Sequence, residues 1–549
     1  MEKLDYSDKR CLVIEDRRPF LMLLKGLLNG LGAKRIVTEM SADAALKACK
    51  TVAFDIIVSD LHLGTNRKNG FELLEELRKL KLIKPSAVFI MISGDSARSM
   101  VLGSLEKQPD DYLIKPFSQA QLNSRIARAT NRRIALNALY SQIEHEKYVL
   151  SIESCKHFLD IGSKYTKHLI QILVQLYWKT EEYDKAEKIL DEILAERPIQ
   201  WAVSSMAKTQ LLKGNYSKAI ELGKQAIDSS KNNVEAYDII ADACLLNDMK
   251  SEALSYIQEA LSLSPLSIER HYRVCDIARA NNEYELAMQS THAIWELSQR
   301  SVHKNVNHMC SYIRSILDAA ENADSKQSKN KLKQEAMLVL QRSQNDETAT
   351  KHQDGFDFGI FETIIHSRIF HLEGKSTDAK RSLEEAQIKI EENFTEYPLA
   401  LAPDSLKAMF DLGDYEEANK IANLLNSQAV EVDSNIKYLM QSELNNAKQK
   451  HTAYIKHNKT GIELYSTGNF RAAYEEFNKG KLISPTNLGV TLNLMQCLIK
   501  LMQNATIPEA SYIKQCRENY RFVSAMPLRS AHKKKFEIIK KDAEKFLHI

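Results

Sequence analysis

Four short apolar runs stand out in the first 120 residues, and a polar group closes each. Cys11-Leu12-Val13-Ile14 ends at the acidic pair Glu15-Asp16, Ile56-Ile57-Val58-Ser59 at Asp60, Val88 through Ile92 at Ser93, and Tyr112-Leu113-Ile114 at Lys115-Pro116. Runs this short, continuous and rich in β-branched residues predict strands buried on both faces of a parallel sheet. From Ser118 the pattern changes. Leu122, Ile126, Ala129, Ile134, Leu136, Leu139 and Ile143 recur mainly three and four residues apart, which predicts one extended helix from Ser118 to about Leu150. Beyond it strand-like alternation all but disappears, and the chain reads as helix after helix.

The helical part repeats itself. Ala186, Ala219, Ala253 and Ala287 lie 33, 34 and 34 residues apart. Seven residues after each come Ile193, Ala226, Ala260 and Ile294; twelve residues before each lie Val174, Ala207, Ala241 and Cys275, small enough for two antiparallel helices to cross closely. A period near 34 with this pattern resembles the tetratricopeptide repeat, although the Trp and Gly usual in its first helix are mostly missing. The resemblance implies a non-catalytic solenoid that binds an extended or helical peptide in its concave groove. By repeat position Gln171, Gln175, Ser204, Lys208, Asp238, Asp242, Tyr272, Asp276 and Arg279 face that groove; the set is mixed in sign and lacks the regular Lys and Asn of a carboxylate clamp. After residue 300 the pattern fades into two polar stretches, Asp324–Asn330 and Ser343–Gln353. Repeat-like segments return at Ala379, Ala418 and Ala473, with irregular steps of 39 and 55.

The chemistry lies in the residues that close the strands. In an open α/β sheet the carboxyl ends of the strands converge on one crevice, so three carboxylates, a hydroxyl and an ammonium group are expected together there. That set suits Mg²⁺ and a phosphoryl group. Asp16 and Asp60 are the best candidates for direct ligands, with Glu15 acting directly or through water, and the metal would offset the repulsion that raises the pKa of clustered carboxylates. Asp60 would be the nucleophile that accepts a phosphoryl group as an acyl phosphate. Lys115 would pair with phosphoryl oxygens and the Ser93 hydroxyl would donate to one of them. Positioning and charge compensation carry most of phosphoryl transfer, so no separate general base is required.

These residues, in this order, resemble the receiver domain of two-component response regulators. Glu15-Asp16, Asp60, Ser93 and Lys115-Pro116 match that family's acidic pair, phospho-acceptor, switch hydroxyl and lysine-proline, and Tyr112 falls on its switch aromatic. Asp16 and Asp60 stand 44 residues apart and Ser93 and Lys115 stand 22 apart, which fits as well. The resemblance covers about residues 8 to 128. It implies a CheY-like, flavodoxin-like doubly wound five-stranded parallel sheet. It also implies Mg²⁺ held by Glu15, Asp16, Asp60 and the His62 backbone carbonyl, and a sensor histidine kinase or phosphotransfer protein as phosphoryl donor. His62 and Asp95, two residues beyond the acceptor and the switch serine, are expected to meet over the site and tune phosphoryl lifetime. The segment from Leu61 to Gly70 lacks the family's Pro, and its Arg67 and Lys68 are expected to bear on kinase docking.

The expected layout is a receiver over 1–128, a connecting helix over 129–155, a first repeat array over 156–300, an irregular helical and polar connection over 301–355, a second array over 356–503 and capping helices over 504–549. Composition narrows the function. With 75 basic and 72 acidic residues, the formal charge of +3 gives no reason to invoke nucleic acid. The basic tail His532–Lys535 is interrupted at Phe536, Ile538 and Ile539 and reads as a solvated helix face. Eight Cys with no pair at two-residue spacing support neither a zinc site nor a disulfide framework, and fit a reducing cytoplasm. No apolar run approaches the ~20 residues needed to span a bilayer, and the N-terminus shows no apolar signal segment, so no membrane partner is expected. The expectation is a cytoplasmic response regulator whose output is protein binding by a solenoid. It is not an enzyme beyond the receiver's own phosphoryl transfer and dephosphorylation. The connecting helix would act as a lever on the repeats or on a second copy of the chain, as in a homodimer. Two alternatives stay open: a nucleic-acid regulator with steep salt dependence, and a phosphate sink in which the solenoid only docks a kinase.

Overall fold

The computed structural model describes residues 4–64, 68–94, 109–299, 301, 303–344, 355–427, 450, 452–505, 507 and 509–547, in two compact units, 1–308 and 309–549. The first unit opens with five parallel strands: β1 (Arg10–Ile14), β2 (Arg35–Glu39), β3 (Ile56–Asp60), β4 (Val88–Ser93) and β5 (Asp111–Ile114). Their order in the sheet is β2-β1-β3-β4-β5, with Val13 opposite Val58, Asp60 opposite Ile92 and Ser93 opposite Ile114. The central strands β3 and β4 are buried at every residue, whereas the edge strand β2 is not.

Helices cover both faces. Leu21, Leu24 and Leu28 of α1 (Arg18–Gly30) and Leu122, Ile126 and Ala129 of α4 (Gln119–Ala135) pack with Cys11, Val13, Val58 and Ile90. On the other face, Ala45, Leu46 and Cys49 of α2 (Ala42–Thr51) and Leu73, Leu74 and Leu77 of α3 (Gly70–Lys79) pack with Leu12, Ile14, Ile57 and Met91. Each buried Leu contributes about 1.5–3 kcal/mol of apolar transfer free energy, so the alternating in-and-out of the strands makes two cores on one sheet.

The single helix expected over 118–150 is three. After α4 come α5 (Asn137–Glu144) and α6 (Tyr148–Asp160). Leu136 leaves the helical path at φ −107°, ψ 20°, and Glu146 turns back at φ 56°. Packing is the reason. Leu136 and Leu139 are buried with Ile152, Cys155 and Leu169, away from the sheet core that holds Leu122 and Ile126. One continuous apolar period thus serves two cores, and the expected connecting helix over 129–155 is divided between the end of α4 and the first helices of the array. The joint is polar as well: Arg133 Nε donates to Asp110 Oδ1 over 2.6 Å, its guanidinium lies 4.2 Å from the Tyr140 ring centroid, and the Tyr140 hydroxyl meets His168 Nε2 at 2.8 Å. Burial, with Arg132 and Arg133 nearby, pushes the His168 imidazole down to about 4.

Paired helices follow: α7 (Thr166–Lys179) with α8 (Tyr183–Glu196), α9 (Gln200–Leu212) with α10 (Tyr216–Ser229), α11 (Val234–Leu246) with α12 (Lys250–Leu263), and α13 (Ile268–Ala280) with α14 (Tyr284–Ser298). Ala186, Ala219, Ala253 and Ala287 are all buried at the crossings. The turn inside each pair holds one left-handed residue: Glu181, Gly214, Asp248 and Asn282, at φ 59°, 81°, 59° and 61°. Those four positions keep the same period as the alanines. Several of the expected groove residues are engaged by neighbouring side chains: Arg270 forks onto Asp238 (2.9 and 2.7 Å), Ser204 accepts from Asn233, and Lys208 lies over Trp178.

In the second unit the expected irregular connection over 301–355 is largely regular. It contains α15 (Val306–Glu321), buried on all sides from Met309 to Ala320, and α16 (Lys326–Gln344). Residues 345–354, in the second polar run, lie outside the described residues. The polar residues of α15 pair inward instead of facing water. Arg314 donates to Asp404 (2.7 Å), and Arg368 donates to both Asp404 (2.9 Å) and Asp318 (2.8 Å). Further helices follow: α17 (Phe358–Leu372), α18 (Ser376–Asn393), α19 (Ala402–Asp411), α20 (Tyr415–Ser427), α21 (452–466), α22 (Phe470–Ile483) and α23 (Leu488–Asn504). Gly374, Gly413 and Gly468 take the left-handed turn position there. The last two helices, α24 (Ala510–Ser524) and α25 (Ser530–Leu547), cover the apolar side of α23 with Cys516, Val523, Phe536 and Ile539.

The repeated turn makes a paired test. Glu181→Gly removes a side chain from a left-handed position and should raise stability by about 0.5–1 kcal/mol, whereas Gly214→Ala should lower it by about 1 kcal/mol. Chemical denaturation followed by helix ellipticity reads both signs. His168 gives a second test. An imidazole whose folded pKa is depressed contributes its full stability above the unfolded value of about 6.5 and loses it as pH falls towards 4. Wild type should lose on the order of 2–3 kcal/mol across that window, and His168→Gln, which keeps an acceptor for Tyr140, should lose less. Equal losses would exclude His168 as the acid-sensitive group.

Candidate functional site

The crevice lies at the carboxyl edge of the sheet, where strand order reverses between β1 and β3. The backbone just past β1 carries Glu15 and Asp16, β3 ends in Asp60, β4 ends in Ser93, and the chain leaving β5 carries Lys115, followed by a cis peptide bond to Pro116. Local hydrogen bonds hold this edge. Glu15 N–H donates to Glu39 O, Leu61 N–H to Ile92 O, and Lys115 N–H to Ser93 O. The sheet pairing therefore continues one residue beyond the strands and sets the spacing of the functional groups.

Carboxylate oxygens of Glu15, Asp16 and Asp60 all lie within 4.8 Å of one another. Lys115 Nζ donates to Glu15 Oε2 (2.8 Å) and to Asp60 Oδ2 (2.9 Å). The second oxygen of Asp60 accepts from Leu61 N–H (2.8 Å), and Glu15 Oε1 accepts from Arg17 N–H (3.2 Å). Glu15 is fully buried and Asp60 is 6% exposed. Burial pushes the Glu15 carboxyl up, Lys115 opposes that, and Asp60 adds to it. Three carboxylates against one ammonium leave an excess of negative charge in a site mostly closed to water. Such a site favours a cation of small radius with oxygen preference.

The structure brings Glu15, Asp16, Asp60 and Lys115 together at this edge. Ser93 is buried at the tip of β4, and Tyr112, half-buried in β5, packs against the core cluster that includes Met91 and Phe89. His62 is exposed two residues past Asp60. Asp95 and Arg67 lie outside the described residues. Lys68, expected to bear on kinase docking, is paired with Glu76 (2.7 Å) and Asp43 (3.3 Å) of α3 and α2.

Two contributors escaped the sequence reading. The ring of Phe20 lies under Lys115, with Nζ 4.0 Å from its centroid, and adds a cation–π contact that holds the ammonium over the crevice. An aromatic in the first turn after an acidic pair is the signal that could have marked it. Gly70 opens α3 behind the Asn69–Glu72 capping box; a Cβ there would stand 2.5 Å from Asp60 O and 2.8 Å from Met91 Sδ.

Residues 11–127 match the family described as the response regulator receiver domain. The N-terminal domain is a response regulator receiver domain. Among curated relatives, it is 32% identical over 140 residues to the alkaline phosphatase synthesis transcriptional regulatory protein PhoP of Bacillus subtilis, covering 26% of this chain and 55% of that protein. It is 34% identical over 139 residues to the response regulator protein PmrA of Pseudomonas aeruginosa, covering 25% of this chain and 59% of that protein. The chain thus spans little more than half the length of either relative. A solved structure, the BeF3-activated DrrB receiver domain, is 25% identical over 22% of this chain and 97% of its own, with a TM-score of 0.20. Downstream of the receiver, residues 147–307 match the family described as ChAPs, Chs5p-Arf1p-binding proteins. Among the described residues no helix is long and apolar enough to cross a membrane.

Gly70→Ala tests the packing behind the receiver's acceptor. The added methyl group meets backbone rather than a movable side-chain tip, so the variant should lose about 2 kcal/mol, a fall of several degrees in melting temperature. Gly26→Ala in α1, where a Cβ meets nothing within 4 Å, should gain about 0.5–1 kcal/mol. If both substitutions changed the melting temperature in the same direction, the close approach of Gly70 to Asp60 would be wrong.

Proposed function

We propose that this chain is a two-component response regulator that accepts a phosphoryl group on Asp60 and passes the change to a helical output that binds protein. One observation carries the reading: Lys115 Nζ bridges Glu15 and Asp60 at 2.8 and 2.9 Å, with Asp16 in the same cluster. The donor set fits Mg²⁺, with Glu15, Asp16 and Asp60 as ligands and the His62 backbone carbonyl as a further one. When bound, Mg²⁺ supplies positive charge that offsets the repulsion between these carboxylates and the incoming phosphoryl oxygens.

The residues of the chain do the rest. A phosphoryl group arrives from a sensor histidine kinase or phosphotransfer protein. One Asp60 oxygen attacks phosphorus, and the bond to the donor breaks as the acyl phosphate forms. Lys115, already between Glu15 and Asp60, turns its ammonium to a phosphoryl oxygen, a charge-assisted hydrogen bond that forms without large movement. Ser93 donates its hydroxyl to another oxygen, and Tyr112 follows Ser93 inward. His62 and Asp95 set how long the acyl phosphate lasts by controlling access of water. The output reading is supported by the paired helices after Leu136 and by the match to a family named for binding proteins. Eight buried cysteines, none of them in a disulfide, fit action in the cytoplasm.

Incubation with acetyl phosphate and Mg²⁺ should place one phosphoryl group on wild type, none on Asp60→Asn, and about 10²-fold more slowly on Lys115→Met. His62→Ala in the same assay should change the half-life of the phosphorylated form. A donor-treated bait should then capture a cytosolic protein that Asp60→Asn does not. Equal labelling of wild type and Asp60→Asn would end the phosphorylation reading. Labelling without donor-dependent capture would end the output reading and favour the phosphate sink.

A further inference from the structure

Most buried cations among the described residues of the second unit are matched to carboxylates; Lys481 and Lys535, whose ammonium donates to Asn493, are not. Arg314 and Arg368 share Asp318 and Asp404. Lys380 pairs with Glu384 and Asp414, and Arg529 with Glu384 and Glu417. Lys481 of α22 differs. Its ammonium donates to two neutral oxygens, Thr491 Oγ1 of α23 (2.9 Å) and Asn519 Oδ1 of α24 (2.8 Å), and lies 5.3 Å from the centroid of the Phe522 ring. Among the described residues no carboxylate pairs with it, and burial alone lowers its pKa, to about 8, with no charged neighbour contributing.

A second, independent feature points to the same spot. Asn519 is only 4% exposed, and its Nδ2 is buried with no hydrogen-bond partner. The orientation of this carboxamide is not interchangeable: turning it over would set Nδ2 donors against the Lys481 ammonium and leave the oxygen orphaned. The orphaned N–H₂ and the oxygen held by Lys481 sit on one carboxamide carbon, so the unmatched cation and the unmatched donor are adjacent. A buried amide without a partner and a half-buried charge without a counter-ion are each costly, and one negatively charged oxygen group would satisfy both. Polar contacts lead to this corner along the α22–α24 seam, where Tyr474 donates to Gln515 and Gln515 to Asn478. Those groups are satisfied by each other, so the deficit is confined to Lys481 and Asn519.

We propose that Lys481 and Asn519 form an oxyanion-binding site between α22, α23 and α24, which takes a phosphate or carboxylate group. It is separate from the Asp60 crevice in the chain and in chemistry, since it lacks acidic residues and suits an anion instead of a cation. The proposal does not depend on the phosphorylation reading.

The test uses the full chain and its thermal unfolding. Sodium phosphate, sodium acetate and an acidic peptide blocked at both ends are titrated at constant ionic strength against sodium chloride. At about ten times the dissociation constant, a specific anion should raise the melting temperature of wild type by about 3 °C, and further with the logarithm of its concentration. Which titrant acts at the lower concentration tells a phosphate source from a carboxylate one. Lys481→Gln should abolish the shift. Asn519→Asp places a carboxylate against Lys481 and should do two things: raise the melting temperature in chloride alone, and remove the response to added anions. The proposal is overturned if no anion exceeds chloride, if Lys481→Gln keeps the response, or if Asn519→Asp lowers stability and still responds to phosphate.

Discussion

The ammonium of Lys115 stands between two carboxylates that have almost no access to water, and the receiver is organised around that constraint. Glu15, Asp16 and Asp60 together would repel one another strongly at the edge of an apolar sheet. One fixed cation relieves part of that repulsion, and the negative charge that remains favours a small, oxygen-preferring cation. The arrangement needs residues from β1, β3 and β5 at one height, so it exists only if the strands pair in the order observed. Hydrogen bonds that continue past the strand ends, from Glu15 to Glu39 and from Lys115 to Ser93, hold the functional groups to the register of the sheet. Phe20 and Gly70 complete the support, one as a floor under the ammonium and the other as a gap that lets α3 begin against Asp60.

The helical parts solve a related problem by another means. Helix pairs cross at small residues and turn at one left-handed position per repeat, which fixes their geometry with little dependence on the polar sequence. That leaves polar residues free to be buried in pairs. Arg314, Arg368, Asp318 and Asp404 form such a set over 90 residues of chain. Removing any one member would strand a charge in a dry interior, which is far more costly than the pair is stabilising. Lys481 departs from this rule, and it stands out because the carboxamide that accepts from it, Asn519, also carries an unpartnered donor.

The joint between the receiver and the first helices shows how the two kinds of core are connected. α4 packs its early turns on the sheet, and the chain then breaks at Leu136 so that its next apolar residues enter the helical array. Asp110, at the foot of β5, holds Arg133, which stacks on Tyr140, which in turn meets His168 of α7. Asp110, Arg133, Tyr140 and His168 thus form a short chain of packed and hydrogen-bonded contacts from the foot of β5 into the first helix pair.

Much of this protein was legible in its residues alone. Short apolar runs ending in Asp16, Asp60, Ser93 and Lys115 marked the strands and the crevice, because parallel strands buried on both faces leave only their ends for chemistry. The 34-residue period marked the first helix pairs, because close crossing admits only small side chains. The break at Leu136 was not legible, since a three-to-four spacing of apolar residues looks the same whether it faces one core or two. The regular, buried α15 was hidden for the opposite reason: its arginine and aspartate have the polarity of a linker, and their partners lie far along the chain. Phe20 and Lys68 likewise took their roles from neighbours brought near by folding. Periodicity reports which face of an element is apolar; what that face meets, and which charges neutralise one another, is decided when distant segments come into contact.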